Sequence, residues 1–323
     1  MARRASRLTV ACGSALALLS ASSFAGGAFI VDLTHPIPTF QPMEGDPMKP
    51  DMSKPWLDST AIPSFGQQTV LSIGQFPTNQ GHFDLGTMVL SEHHGTHIDS
   101  SAHYVNNADS QEAGNPAADH RKYMHMLDGG DLSGTIVLVD ISARVQAELD
   151  RNGGAPSPDT AVTNFSDDSG NAITADDIAA VADAIDDGVW LVLSQGWSRF
   201  YFQGTDFGSD PYINGWNYPG LTPAAVDKIV EIEDAKGVRI NGIMSDVIGV
   251  ETGQNSRGED DAWSNSWYAH VKGLQRGWKL IENGNNLGQL AMAKPGSCML
   301  VAGALKHVRG TGGPARILAF CDK

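Results

Sequence analysis

The chain has 323 residues, 41% of them hydrophobic and 18% charged, so it is long and apolar enough to bury a full core. Its 37 acidic and 22 basic side chains give a formal net charge of −15 at pH 7. Such an excess of negative charge repels nucleic-acid phosphates and anionic lipid. The composition therefore argues against nucleic-acid or membrane-surface binding and favours a small soluble partner.

The first 25 residues have the pattern of a cleavable export signal. Three arginines precede an apolar run over residues 8–19, and residues 23–25 have the small-x-small arrangement that signal peptidase cleaves. The run is shorter than the roughly 20 residues that span a bilayer, so a retained anchor is not expected. We predict that residues 1–25 are removed by the general secretory route, with twin-arginine export as the alternative. Residues 26–323 would then form a periplasmic or secreted domain.

The next predicted elements lead into a histidine-rich stretch. Residues 29–34 form an apolar run typical of a strand, and the prolines and glycine that follow predict an extended, turn-rich segment up to residue 47. Residues 68–73 and 86–90 are β-branched or alternating, which predicts two further strands. The second of these leads directly into the stretch over residues 93–103, and loops at strand ends are where sites usually lie.

Buried strands and helices follow in the middle of the chain. Residues 135–141 and 189–194 are unbroken apolar runs, as expected of strands that are buried on both faces. Residues 152–169 are rich in Gly, Pro, Ser and Asp, so we interpret them as a surface insertion. The order of strands and helices indicates an α/β protein with several strands outside any βαβ repeat.

Two helices are predicted by their capping signals. Thr174 begins a capping-box pattern, and the apolar face after it predicts a helix that ends at Gly188. Thr222, followed by proline, begins a second helix that ends at Gly237. A strand over residues 238–244 is predicted to follow.

Residues 299–305 and 315–320 predict a closing pair of strands near the end of the chain. Cys298 and Cys321 bracket this pair, and both remain after the export signal is removed. In an oxidising compartment we expect them to form a disulfide, with two unpaired buried thiols as the alternative.

Four of the ten histidines lie between residues 93 and 103. Three of them and an aspartate form a cluster of metal-ligand type: His93, His97, Asp99 and His103. Imidazole and carboxylate are ligands of zinc and manganese, and Gly95 lets the backbone turn so that they converge. A histidine-rich surface loop that picks up metal adventitiously is the alternative. The sequence shows no nucleophile elbow, phosphate loop or dinucleotide fingerprint.

This cluster resembles the hallmark of the metal-dependent cyclase family, which includes bacterial kynurenine formamidase and isatin hydrolase. The hallmark is His-x-Gly-Thr-His-x-Asp-x-Pro-x-His, and Ser101 stands here in place of its proline. Further matches cover nearly all of the mature chain: Asp32-Leu33-Thr34-His35-Pro36, Gly45-Asp46-Pro47, Gly196-Trp197 and Gly310-Thr311-Gly312-Gly313-Pro314-Ala315-Arg316.

The resemblance implies a single-domain α/β protein with the swivelling β/β/α fold, which has a mixed barrel-like sheet and flanking helices. Insertions near residues 150–170 and 250–268 exceed the compact family pattern and are expected to reshape the rim of the pocket. The family also suggests a homodimer or a higher homo-oligomer.

The resemblance further implies a site with one or two zinc or manganese ions per chain. A first ion would be held by His93, His97 and Asp99. The family's second ligand set corresponds to His270 and Glu282. With His103, these residues either hold a second ion bridged by Asp99 or act as base and outer ligands. His103 is the favoured catalytic base and His270 is the alternative, because imidazole titrates near neutral pH.

The implied function is an exported hydrolase that uses a metal-activated water to open the C–N bond of a formamide or cyclic amide on an aromatic compound. A lactone hydrolase with the same site and a non-catalytic periplasmic metal- or ligand-binding protein are the alternatives. We expect Trp197, Phe200 and Tyr201 to form an apolar wall for the planar substrate, with ordinary core packing as the alternative.

Overall fold

The structure is a computed structural model. It describes residues 27–37, 40–43, 46–55, 73–78, 83–87, 91–103, 121–201, 211–257 and 267–323, with side chains described in the ranges 27–37 and from residue 91 onward. The export signal, most of the strand predicted over 68–73 and the end of that predicted over 86–90 lie outside these residues. Of the helices in the described ranges, none combines the length and hydropathy of a membrane span.

The described residues form strands and a smaller number of helices. The strands are β1 (Phe29–Asp32), β2 (Phe40–Met43), β3 (Asp46–Pro55), β4 (Ile73–Thr78), β5 (Phe83–Thr87), β6 (His97–Asp99), β7 (Ser133–Asp140), β8 (Trp190–Ser194), β9 (Gly242–Ser245), β10 (Lys279–Glu282), β11 (Met299–Ala304) and β12 (Gly312–Cys321). The α-helices are α1 (Ser142–Asp150), α2 (Ala175–Ala180), α3 (Pro223–Lys236) and α4 (Tyr268–Gln275).

The main sheet closes into a barrel. Its strand order is β1-β12-β11-β7-β8-β9-β10-β6, and β12 also pairs with β6, so seven strands form a ring and β1 extends outward from β12. The run β7-β8-β9-β10 is parallel, whereas the pairings that involve β6, β11 and β12 are antiparallel. This mixed, barrel-like α/β architecture confirms the predicted fold class.

Two hydrophobic cores lie on the two faces of this sheet. Along β8, Leu191 and Leu193 pack in a core with apolar residues of α1 and α3. Trp190 and Val192 belong to the second core, which is lined by β6, β11 and β12. Side chains of a strand alternate between faces, so an unbroken apolar run is what a strand between two cores requires.

The capping signals are confirmed, although one helix is shorter than predicted. The Thr174 hydroxyl accepts a hydrogen bond from the Asp177 backbone N–H, and the Asp177 carboxylate accepts one from the Thr174 N–H. Helix α2 nevertheless ends at Ala180, and a short 3₁₀ turn replaces its predicted second half. Thr222 caps α3, and Gly237 ends that helix in the left-handed conformation with φ of 69°.

Other elements differ from the sequence-based expectation. A hairpin of β2 and β3 occupies the segment predicted as extended and turn-rich up to residue 47. Helix α1 and strand β10 were not predicted, and β9 begins at Gly242, later than the predicted residue 238. The closing strand pair is confirmed as β11 and β12, and a disulfide joins Cys298 to Cys321.

Candidate metal centre

Strand β6 places two of the candidate ligands opposite a third. His97 and Asp99 lie on the same face of this strand, because side chains two residues apart point the same way. In the antiparallel pairing of β6 with β10, His97 lies directly across from Glu282. Cross-strand neighbours of this kind are in contact, so the ladder itself brings the imidazole and the carboxylate together.

The turn before β6 is fixed by hydrogen bonds to the residue after β10. Gly95 has a φ of 61°, a left-handed conformation that favours glycine. The Asn283 side chain donates to the Gly95 carbonyl over 2.8 Å, and the Thr96 hydroxyl donates to the Asn283 carbonyl over 2.6 Å. The histidine loop is thus tied to the end of β10 that carries Glu282.

His97 presents its Nε2 atom to the two carboxylates. Its Nδ1 lies 2.9 Å from the Gly95 carbonyl, which can only accept, so Nδ1 carries the proton. Nε2 then lies 3.3 Å from Asp99 Oδ1 and 3.6 Å from Glu282 Oε2. This imidazole therefore directs its Nε2 atom at both acids.

His270, in the first turn of α4, approaches the same acids from another side. Its Nε2 lies 3.1 Å from Glu282 Oε1 and 3.5 Å from Asp99 Oδ2. Its Nδ1 lies 2.8 and 2.9 Å from the two oxygens of Glu251, a buried carboxylate. His97, Asp99, His270 and Glu282 are all buried.

The spacing of His97, Asp99 and Glu282 fits a divalent cation, because each offers a ligand atom and these atoms lie within 4.8 Å of one another. His270 Nε2 approaches the other oxygen of each acid, at 3.5 and 3.1 Å. Asp99 Oδ2 is also buried with no hydrogen-bond partner among the described residues. A buried carboxylate oxygen without a donor is costly unless a cation satisfies it.

A second group shares Asp99 and lies on the more accessible side. His93, Asp99 and His103 each offer a ligand atom, and these atoms lie within 4.8 Å of one another. His93 Nδ1 is 2.6 Å from Asp99 Oδ1, and the His93 and His103 rings have centroids 3.9 Å apart. Both histidines are half-buried, whereas His97 is fully buried.

All six expected ligands therefore converge, but they are grouped differently from the expectation. His97 lies with Glu282 and His270, and His93 lies with His103, while Asp99 stands between the two groups. The assignment of His93 and His97 to one ion stays a prediction.

Two neighbours fix the His93 ring. The Thr311 hydroxyl donates to Glu92 over 2.9 Å and lies 3.2 Å from His93 Nε2, which leaves Nδ1 directed at Asp99. The backbone at Gly312 packs against the same ring, since a Cβ atom there would lie 2.4 Å from it. Close backbone approach explains why this position in the Gly-Thr-Gly-Gly-Pro motif needs glycine.

Ser101, which replaces the family's proline, is tethered by the backbone. Its hydroxyl accepts a hydrogen bond from the Lys122 N–H over 2.8 Å, and the Ala102 N–H donates to the Lys122 carbonyl. These two hydrogen bonds restrain the loop between Asp99 and His103, as the proline ring would in the family pattern.

The buried acids and bases shift one another strongly in the metal-free protein. Burial opposes protonation of His97, but Asp99 and Glu282 outweigh it and raise its pKa to about 9. Burial likewise opposes a charged His270, yet Glu251 and the other acids raise its pKa well above the usual value. At His103, burial dominates and lowers the pKa to about 4, so this imidazole is neutral at pH 7.

The three aromatic residues proposed as a substrate wall are buried in the structure. Trp197 packs edge-on against Phe165 and Phe200, and its Nε1 donates to the Tyr212 carbonyl. Tyr201 stacks on His35 with ring centroids 3.9 Å apart. Their contact with substrate stays a prediction, and their burial favours the alternative of core packing.

Sequence reasoning assigned no role to two carboxylates near the site. Asp246 accepts hydrogen bonds from the N–H groups of Gln195 and Trp197, which fixes the Gly196-Trp197 turn, and burial raises its pKa to about 7. Glu251 binds His270 although the two residues are 19 positions apart. Neither acid lies in a local motif, so no spacing signal gave either of them a role.

Comparison with known proteins identifies the family. A family described as putative cyclase matches residues 31–252, more than half of the chain, and the chain belongs to this family. The chain is 25% identical to isatin hydrolase of Roseibium aggregatum over 96% of its own length and 98% of that protein.

Solved structures show the shared fold. An isatin hydrolase bound to the product analogue thioisatinate aligns with a TM-score of 0.62 and 24% identity, over 97% of this chain and 100% of that one. Isatin hydrolase A from Labrenzia aggregata, bound to benzyl benzoate, aligns with a TM-score of 0.60 and 21% identity, over 92% and 94%. The family match, the relative and the buried cluster support a metal-dependent hydrolase of this family.

Proposed function

We propose that this protein is an exported metal-dependent hydrolase that opens the C–N bond of a formamide or cyclic amide on an aromatic ring. The observation that carries the proposal is the pair of ligand groups that share Asp99. The isatin hydrolase relative, aligned over 96% of the chain, supports the substrate class, because isatin is a cyclic amide fused to an aromatic ring. The export-signal pattern and the disulfide between Cys298 and Cys321 support export.

In this proposal the buried group of His97, Asp99, His270 and Glu282 holds a cation. When bound there, a divalent ion such as Zn²⁺ or Mn²⁺ supplies a Lewis acid that polarises a carbonyl oxygen and acidifies water. Substrate approaches from the side of His93 and His103, because these are the half-buried members of the cluster.

His103 is the proton carrier in the proposed reaction. The tether through Ser101 and Lys122 keeps it near the His93 ring, on the half-buried side of the cluster. His103 accepts a proton from the attacking water as the water oxygen bonds to the carbonyl carbon. The C–N bond then breaks, and His103 returns the proton to the leaving nitrogen, so the products are an aromatic amine and a carboxylic acid, which releases its proton to water at neutral pH.

His270 fits the role of base less well than His103. Its Nδ1 is occupied by Glu251, and its Nε2 is directed at Asp99 and Glu282. Neither ring nitrogen is therefore free to exchange protons with a substrate, and we assign His270 as a ligand.

The test combines metal content with turnover on residues 26–323 purified without a histidine tag. We expect one or two equivalents of zinc or manganese by elemental mass spectrometry, and hydrolysis of formyl-kynurenine or isatin that chelation abolishes. His103→Ala should retain metal in the buried group and lose at least 100-fold in rate, as expected when a general base is removed.

Three outcomes would contradict the proposal. A folded chain that takes up neither metal would remove the site itself. Turnover of an unsaturated lactone alone would favour the lactone hydrolase. Bound metal with no turnover of any of these substrates would favour a binding protein.

A further inference from the structure

Glu251 lies outside both candidate ligand groups, yet it is among the most deeply buried acids of the described residues, with an exposed fraction of 0%. Its backbone packs against the residues just before α3. A Cβ atom at Gly220 would lie 1.9 Å from the Glu251 carbonyl oxygen, and Leu221 exchanges backbone hydrogen bonds with Val250 and Thr252 on either side. The position of this carboxylate is therefore fixed by the main chain.

Both oxygens of Glu251 contact His270, and Oε2 also accepts a longer hydrogen bond from the Val250 N–H over 3.3 Å. Oε1 accepts hydrogen bonds from the His270 backbone N–H over 2.7 Å and from His270 Nδ1 over 2.8 Å, and Oε2 lies 2.9 Å from the same Nδ1. The backbone N–H in the first turn of α4 has no partner within the helix, so Glu251 satisfies it while holding the ring. The Trp267 ring packs edge-on against the imidazole, with centroids 5.3 Å apart.

These contacts leave the His270 ring one orientation. A carboxylate can only accept, so Nδ1 carries a proton that it donates to Glu251. Nε2 is directed at Glu282 and Asp99, 3.1 and 3.5 Å away, and is the nitrogen that would give up its proton to a cation held by these acids. The two nitrogens point away from each other across the ring, so Glu251 acts on the cation site through His270 and not as a ligand.

We propose that Glu251 is a positioning residue that fixes the orientation and tautomer of His270 and thereby sets the affinity of the buried group for its cation. The inference rests on the proposed function, since it requires His270 to be a ligand. Carboxylates that bind the outer nitrogen of a metal-ligating histidine typically contribute 10–100-fold in metal affinity.

Glu251→Gln tests this inference, because glutamine keeps the size of the side chain and removes its charge. We expect the zinc dissociation constant, measured by competition with a chromophoric chelator, to rise by roughly 10–100-fold. The absorption spectrum of the cobalt-substituted protein should change as well, since that spectrum reports ligand geometry and not fold stability.

Glu233→Gln is the matched control. Glu233 is also fully buried, and its carboxylate binds Trp278 Nε1, the Ile240 N–H and Arg276, with no contact to the cluster among its hydrogen bonds. We expect this variant to lose stability but to keep the wild-type zinc affinity and cobalt spectrum.

A double-variant cycle with His270→Ala separates positioning from a general structural effect. If Glu251 acts through His270, adding Glu251→Gln to His270→Ala should weaken zinc binding no further. Wild-type affinity and an unchanged spectrum in Glu251→Gln would overturn the inference alone, as would additive losses in the cycle. Absence of both zinc and manganese binding by the folded wild-type protein would overturn the proposed function and this inference together.

Discussion

Asp99 stands at the meeting point of the two ligand groups, with Oδ1 close to His93 and His97 and Oδ2 facing His270. Its neighbours differ in exposure. His97 and His270 are buried and His93 is half-buried, so one carboxylate connects a closed side of the cluster to an open one. This arrangement suits a site that must hold a cation firmly and still admit water and substrate.

At the residue scale we predict an unusual pH dependence for the metal-free protein. The pKa of His97 is about 9 when folded, against about 6.5 in an unfolded chain, and that of His270 is raised in the same direction. A raised histidine pKa stabilises the fold fully below pH 6.5, and this contribution is lost as the pH rises through about 9. Chelator-treated protein should therefore unfold at progressively lower temperature between pH 6.5 and 9.

Metal-loaded protein provides the control for this prediction. A bound cation takes the place of both protons, so its thermal unfolding should depend less on pH in that window. In the metal-free protein, His97→Gln should also reduce the dependence of the unfolding temperature on pH between 6.5 and 9. If the unfolding temperature depended equally on pH in metal-loaded and metal-free protein, the inference that His97 is protonated in the metal-free protein would be contradicted.

Residue spacing identified the site residues that lie close together along the chain, but it gave no role to those that meet only in the folded protein. His93, His97, Asp99 and His103 lie in one short motif, so their spacing alone predicted a shared site. Glu251 meets His270 only when α4 packs beside the segment that follows β9, and a single buried glutamate has no spacing signal.

At the element scale, β12 shapes the site through its first residues. Asp99 pairs with Gly312 across the ladder, and the Gly312 backbone lies against the His93 ring. We expect Gly312→Ala to displace this ring, to destabilise the protein by about 1–3 kcal/mol and to weaken metal binding. Denaturant unfolding and chelator competition measure the two effects.

Gly288→Ala is the matched control for that variant, since a Cβ atom there would meet no other atom within 4 Å. It should leave both stability and metal affinity close to wild type. If Gly312→Ala also left metal affinity unchanged, the backbone contact with His93 would have no part in the site.

Strands and helices could be predicted from the sequence where a local pattern of apolar or capping residues determines them. The apolar runs of β7 and β8 are sufficient to predict two strands, because each strand lies between two hydrophobic cores and must be apolar on both faces. Strand β10 has only four residues and carries buried Lys279 and Glu282 at its two ends, so its sequence does not look like a buried strand. Helix α1 begins without a side-chain cap, which removed the usual start signal.

At the scale of the whole molecule, the disulfide secures the strand that closes the barrel. Cys298 and Cys321 are separated by 23 residues, a loop whose closure is worth about 3 kcal/mol in the chain-entropy account. We expect the double variant Cys298→Ser/Cys321→Ser to lose roughly that much stability in denaturant unfolding.

The same variant should keep its metal. Cys321 lies at the opposite end of β12 from Gly312, nine residues along an extended strand, so the bridge is remote from the cluster. Loss of metal without loss of stability would contradict this separation of roles.

The seam of the barrel has a further consequence. The ring of seven strands closes through β6, which is only three residues long and pairs with β10 on one side and β12 on the other. The ligands of the buried group lie on β6, on β10 and on α4, so a cation bound by them would link the short strand β6 to its neighbours. We expect metal starvation to shorten the lifetime of this protein as well as to reduce its catalytic activity. Without the cation, β6 would unfold locally more often and become open to proteolysis.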